Sequence, residues 1–263
     1  MIATRRAVLG LALAPLAARA QGVAPDLLRE IAPTGTLRVG IGVAPVASAF
    51  WARRDAATGQ VVGVTLDLGR AYAQSLGIPV AFQEYRSSGE VTEAGAAGQW
   101  DVGFMPVDEE RARRVRFGAG YYLFVSTYLV PANSAIRAFA EVDRPGVRVA
   151  GVANTTTIRT AERVHRHAAT IAVTSVDEIL AMLREGRADA VALGRESLDT
   201  LATQLPGSRV LDGHFHASST AVAVPPDRPR ALAAASAFIE RAKADGTVRR
   251  ILDAHGMRGP MAP

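Results

Sequence analysis

Few groups of residues in this chain combine the types and spacing that chemistry requires. Asn154-Thr155-Thr156-Thr157 follows the β-branched run Val147–Val152 and opens a helical segment. Hydroxyls and the free N–H groups of a first helical turn attract an anion. Plain N-capping by Asn154 or Thr155 accounts for the same residues. Glu109 to Arg114 is a charged turn, in which arginines ordinarily pair with neighbouring acids at the surface. His214-Phe215-His216 sets two imidazoles on one face of a strand without the third ligand that a metal needs. Asp67 reads as the cap of a helix and Asp101 as the residue before a buried strand, and neither has a partner placed for acid–base transfer. The chain has no cysteine, which excludes disulfides, thiolate nucleophiles and thiolate metal sites. Neither a cofactor nor a metal is expected.

The elements that must position these residues alternate in type. Leu37–Val43, Val80–Tyr85, Trp100–Met105 and Leu123–Val130 read as strands. A helix from Asp67 to Leu76, ended by Gly77, and a small-residue helix over 89–98 lie between them. The second half repeats the pattern. Strands are expected at Val147–Val152, Ile171–Val173, Ala188–Leu193, around Val210, and at Thr220–Val224. Helices are expected at Thr155–His167, Glu178–Leu183, Glu196–Gln204 and Pro229–Ala244. Such alternation predicts parallel sheets covered by helices, and two such units make two α/β lobes. Pro131 to Ser134, and the strand ending before Pro225-Pro226, are the expected crossings between lobes. Ligands of open α/β sheets sit beyond the carboxyl ends of the strands, which places a site between the lobes.

The N-terminus predicts export. Arg5-Arg6, the apolar stretch Ala7–Ala18 and Ala18-Arg19-Ala20 have the layout of a secretory signal over residues 1–20, and the paired arginines resemble a twin-arginine signal. Removing it takes Arg5, Arg6 and Arg19 away and lowers the formal charge from +5 to +2. Lys243 is the only lysine and the arginines are scattered, so no basic groove with aromatic platforms indicates nucleic acid.

Several local patterns, in this order, resemble the periplasmic solute-binding proteins of the polar amino-acid uptake class, family 3, with the type II fold. They are Leu37-Arg38-Val39-Gly40, Val62-Gly63-Val64-Thr65-Leu66-Asp67-Leu68, Trp100-Asp101-Val102-Gly103-Phe104, Glu110-Arg111-Ala112 leading to Tyr121-Tyr122, Gly186-Arg187-Ala188-Asp189-Ala190-Val191 and Ala244-Asp245-Gly246-Thr247. The resemblance implies two α/β lobes joined by a two-strand hinge, with 35–128 plus 221–257 as lobe 1 and 129–220 as lobe 2. It implies that Arg111 holds a ligand carboxylate by two parallel hydrogen bonds. It assigns Thr156 and Thr157, with Thr155 and Asn154 beside them, to the anion from the other lobe. Phe50 or Trp51 is a cleft wall or a core residue. Ser88 stands where the family stacks an aromatic on the ligand. Gly194, followed by Arg195, stands where amino-acid binders carry an acid for the ligand ammonium.

The implied function is capture of a small carboxylate-bearing solute for the membrane permease of an ABC-type importer, by a monomer that is not an enzyme. Two alternatives stay open. One is an envelope enzyme resembling cyclic-acid dehydratases, with Glu90 or Glu196, both expected to face solvent, as its acid. The other is a ligand-sensing partner of a membrane receptor.

Overall fold

The computed structural model describes residues 23–43, 51–257 and 259–262. The expected signal over 1–20 and Phe50 lie outside the described residues.

The first half of the chain forms α1 (Pro25–Ile31), β1 (Leu37–Gly42), the short pair β2 (Arg53–Arg54) and β3 (Val61–Val62), α2 (Val64–Leu76), β4 (Val80–Tyr85), α3 (Ser88–Ala96), β5 (Val102–Pro106), α4 (Glu109–Ala112) and β6 (Arg116–Val130). After a 3-10 turn at Phe139–Glu141 come β7 (Arg148–Val152), α5 (Thr156–Val164), β8 (Ala169–Val173), α6 (Val176–Arg184), β9 (Ala190–Gly194), α7 (Arg195–Ala202), β10 (Arg209–Val210), β11 (His216–Val224), α8 (Pro229–Ala244) and α9 (Thr247–Ala254).

The main sheet runs β4-β1-β5-β11-β6-β9-β7-β8, with β10 paired to β6. Two parallel triplets, β4-β1-β5 and β8-β7-β9, flank an antiparallel centre. Each triplet has helices on its faces and its own apolar cluster. Leu37, Val39, Ile41, Val102 and Phe104 pack with α2, α8 and α9 on one side of the molecule. Val149, Ala150, Val191 and Leu193 pack with α5, α6 and α7 on the other. These are the two α/β lobes that the alternating pattern predicts.

Both lobes repeat one polar device. The Arg38 backbone N–H donates to Asp101 Oδ2 (2.9 Å), and its guanidinium reaches Asp101 Oδ1 (2.7 Å) and Gly98 O (3.0 Å). Arg148 makes the same three bonds, to Asp189 Oδ2 (2.9 Å), Asp189 Oδ1 (2.9 Å) and Gly186 O (2.7 Å). Each arginine leads the first strand of its triplet, and each aspartate precedes a neighbouring strand. The device fixes strand register from the side opposite the cleft.

The hinge differs from its sequence reading. β6 begins seven residues before Leu123 and crosses between lobes within itself. Arg116 to Ser126 pair with β11, while Ser126 to Leu129 pair with β9. The return strand starts at His216 rather than near 220. Small residues hide these extensions from a β-propensity reading. A side chain on Gly118 would come within 2.1 Å of Ser236 Oγ, and one on Gly120 within 2.1 Å of Ser219 Oγ. Asp67 is not a cap either. The helix starts at Val64, and Asp67 inside its first turn pairs with Arg70 (2.8 Å) and His255 (2.8 Å), joining α2 to α9.

Candidate functional site

All six parallel strands end at one cleft of about 1130 Å³ between the lobes. Gly42, Tyr85 and Pro106 bring the ends of β1, β4 and β5 to it, and Val152, Thr174 and Gly194 the ends of β7, β8 and β9. This is the place that strand polarity assigns to a ligand.

Arg111 lines the cleft from α4 and is 2 % exposed. Its Nη1 donates to the Pro106 carbonyl (3.2 Å) and its Nη2 to Ser88 Oγ (2.8 Å). A guanidinium has five N–H donors, so both terminal nitrogens keep a second one. Nε is shielded from water without a hydrogen-bond partner, 3.4 Å from Asp108 Oδ2. Burial pulls the guanidinium pKa down to about 10, Asp108 opposes that pull and Arg159 adds to it. Arg111 therefore stays charged at neutral pH in a poorly solvated place, where a carboxylate gains more than it does in water.

Asp108 is the residue that the motif reading missed. Its Oδ1 accepts from the Arg111 backbone N–H (3.0 Å) and caps α4. Its Oδ2 reaches across to the other lobe and accepts from Thr156 Oγ1 and from the Arg159 guanidinium. Burial alone raises its pKa. The Thr156 hydroxyl, the Arg111 N–H and the charges of Arg111 and Arg159 outweigh that, so the carboxyl is held below the ordinary aspartate value. The only sequence signal was an aspartate three residues before Arg111, capping a helix of four residues, which is too short to read.

The facing lobe presents the start of α5. Asn154 has φ 59°, a left-handed conformation that asparagine tolerates better than most side chains. It turns the chain so that the first helical turn faces the cleft, and it packs so tightly on Gly89 that a Cβ there would lie 2.8 Å from its own. Thr155 is the cap, accepting from Ile158 N (3.3 Å) and donating to Val152 O (2.8 Å). Thr157 Oγ1 bonds Ser126 Oγ in β6 (2.9 Å). The three hydroxyls are thus engaged within the protein. What this turn offers a solute is the backbone N–H groups of Thr156 and Thr157, which have no acceptor in the helical ladder.

Other expected site residues divide. Trp51 lines the cleft and also packs on the first lobe's core, so both readings hold for it. Ser88, Gly194 and the four residues from Asn154 to Thr157 line the same cleft. Arg195 does not. Its guanidinium turns away to the carbonyls of Leu211 (3.0 Å) and Gly213 (3.3 Å), which hold the loop before β11.

Gly194 is a glycine for a visible reason. A Cβ there would lie 2.3 Å from Cε2 of Phe124 and 2.4 Å from its Cζ. Phe124, inside the long apolar strand β6, carried no signal of its own, yet it lines the cleft with its ring centroid 5.7 Å from that of Trp51.

Of the two acids considered for catalysis, Glu90 stands on the cleft rim paired with Arg86 (2.7 Å). Glu196 does not face solvent. Its Oε1 accepts from Tyr122 (2.7 Å), its Oε2 is shielded from water without a partner, and burial raises its pKa. His165 is half-buried, and its ring nitrogens bond Tyr128 (2.7 Å) and Thr170 (2.7 Å) just beyond α5. Among the described residues no three His, Asp or Glu side chains gather as a metal site.

Comparison with known proteins agrees with this architecture. The family model of bacterial extracellular solute-binding proteins, family 3, matches residues 39–257. Among solved structures, a mutant of ArgBP from T. maritima is 20 % identical, with 88 % of this chain and 99 % of that chain covered at a TM-score of 0.76. The ancestral amino acid-binding protein AncCDT-1, described as a precursor of cyclohexadienyl dehydratase, is 27 % identical, with 86 % and 98 % covered at 0.74. AbpA from Streptococcus pneumoniae, an amino acid ABC transporter substrate-binding protein bound to L-arginine, is 18 % identical, with 86 % and 96 % covered at 0.74. No curated protein sequence matches the chain.

Proposed function

The chain belongs to the bacterial extracellular solute-binding proteins of family 3, and from that premise we propose that it captures a small carboxylate-bearing solute in its inter-lobe cleft and delivers it to the permease of an ABC-type importer. The observation that carries the reading is Arg111, a buried guanidinium at the cleft that keeps N–H donors beyond its bonds to Pro106 and Ser88. A carboxylate seated there, with the first N–H groups of α5 opposite, would touch both lobes and favour their closure. The lobes take part as 35–128 with 221–257 and as 129–220. The protein acts as a monomer in the periplasm, exported by the signal over residues 1–20.

Binding rather than turnover is the reading the cleft favours, because Glu90 is committed to Arg86 and Glu196 to Tyr122. The description of AncCDT-1 as a dehydratase precursor keeps an enzymatic alternative worth one assay. Cyclic hydroxy acids incubated with the protein should be recovered unchanged.

The test is a thermal-shift screen of residues 21–263, refolded from denaturant to strip carried-over ligand. The panel holds amino acids beside mono- and dicarboxylic acids. A ligand that binds only the native state raises the melting temperature by mass action. A carboxylate-dependent shift that Arg111→Ala abolishes supports the reading. A full shift in that variant removes Arg111 from the site.

A further inference from the structure

Phe124 and Gly194 meet at the cleft end of β9, the position where the family resemblance expects an acid for a ligand ammonium. Gly194 closes β9 at the cleft, and the Phe124 ring lies over it so closely that even a methyl group would overlap the ring. No acidic side chain fits on Gly194 while Phe124 keeps this place. The Trp51 ring stands 5.7 Å from it, centroid to centroid, and Phe104 belongs to the same apolar cluster, so an apolar patch lies on this side of the cleft. Among the described residues, the acids elsewhere on the cleft lining are occupied or wet. Glu90 pairs with Arg86, Glu93 pairs with Arg114, and Asp177 is exposed in the first turn of α6, where an ion pair is worth little.

We infer that the solute is a carboxylic acid with an apolar, ring-sized body and no α-ammonium group, and that Phe124 is the residue that sets this choice. The inference rests on the reading of Arg111 as the carboxylate anchor. A carboxylate on Arg111 leaves its substituent against the Phe124–Trp51 wall, where an apolar body is sheltered from water. An ammonium next to that carboxylate would lose its hydration with no acceptor charge to replace it. A second polar end, as in a dicarboxylate, would suffer the same loss.

The test compares three probes by calorimetric titration of the refolded protein. 3-Phenylpropanoate and L-phenylalanine differ only in the ammonium, and succinate replaces the ring by a second carboxylate. The expected result is 3-phenylpropanoate binding about tenfold or more tighter than either of the others. The double variant Phe124→Ala/Gly194→Asp, which makes room for an acid, should reverse the order in favour of L-phenylalanine. Binding of L-phenylalanine or succinate to the wild-type protein as tightly as 3-phenylpropanoate overturns the inference. If that binding still depends on Arg111, the carboxylate anchor stands and only the role of Phe124 falls. If none of the three binds, the inference also falls, and the wider thermal-shift panel decides separately whether Arg111 holds a carboxylate.

Discussion

Asp108 in the first lobe is ion-paired with Arg159 in the second, beside the buried Arg111. Asp108 Oδ2 also accepts from Thr156 and lies 3.4 Å from Arg111 Nε, so one carboxylate ties Arg111 of one lobe to the helix start of the other. The protein therefore supplies part of its own bridge across the cleft. A solute seated as proposed would add to that bridge.

Breaking this clasp should open the lobes. Asparagine at position 108 still caps α4, so Asp108→Asn removes the charge and leaves the helix. In the ligand-free protein, the separation of two labels placed one on each lobe should increase in Asp108→Asn and in Arg159→Gln. The double variant should open no further than either single one, because both break the same link. The chain has no native cysteine to confuse the labelling. The aspartate is held below its ordinary value, so the clasp is complete above the unfolded aspartate pKa, about 3.9. It should be lost only as pH falls through the still lower folded value.

Glu196 has the opposite pH sign. Its folded pKa is raised by burial, while the unfolded value is about 4.3. Between those values the folded state holds more protons than the unfolded one, so stability falls as pH rises. Glu196→Gln keeps an acceptor for Tyr122 and removes the charge. Urea unfolding should find this variant more stable than wild type at pH 7, with the difference gone below about pH 4. An equal or lower stability at pH 7 would contradict the burial of a charged carboxylate at the lobe contact.

The repeated arginine–aspartate device gives a graded prediction. Asp101 is 1 % exposed and binds both Arg38 (2.7 Å) and Arg228 (2.6 Å). Its counterpart Asp189 is partly exposed and, among the described residues, pairs with Arg148 alone. Asp101→Asn should cost about 3–5 kcal/mol, as removal of one partner from a buried ion pair does. Asp189→Asn should cost about 0–1 kcal/mol. Denaturant midpoints of the two variants measure the contrast, and equal losses would mean that burial does not set the value of the pair.

The strands of both triplets were legible in the sequence because their apolar, β-branched runs alternate with helical segments. The first residues of the two crossing strands were not, because Gly118, Gly120 and Ser219 are small for close packing rather than β-branched. In the site, Arg111, the Asn154–Thr157 turn and Gly194 were found through motif positions. Arg195 was misplaced because adjacency to Gly194 does not fix where a long side chain turns. Asp108 and Phe124 escaped because their partners, Arg159 and Gly194, lie 51 and 70 residues away in sequence and meet them only in the fold.

The seat proposed for the ligand carboxylate is Arg111. It is tested most directly by calorimetric titration of the best acid from the thermal-shift screen against its own methyl ester, on wild-type protein and on Arg111→Gln. Esterification removes the charge and leaves the body of the ligand. The ester should bind wild type at least about tenfold more weakly than the acid, and acid and ester should bind Arg111→Gln alike. An ester that binds wild type as tightly as the acid, or an acid that keeps its full advantage in Arg111→Gln, would contradict it.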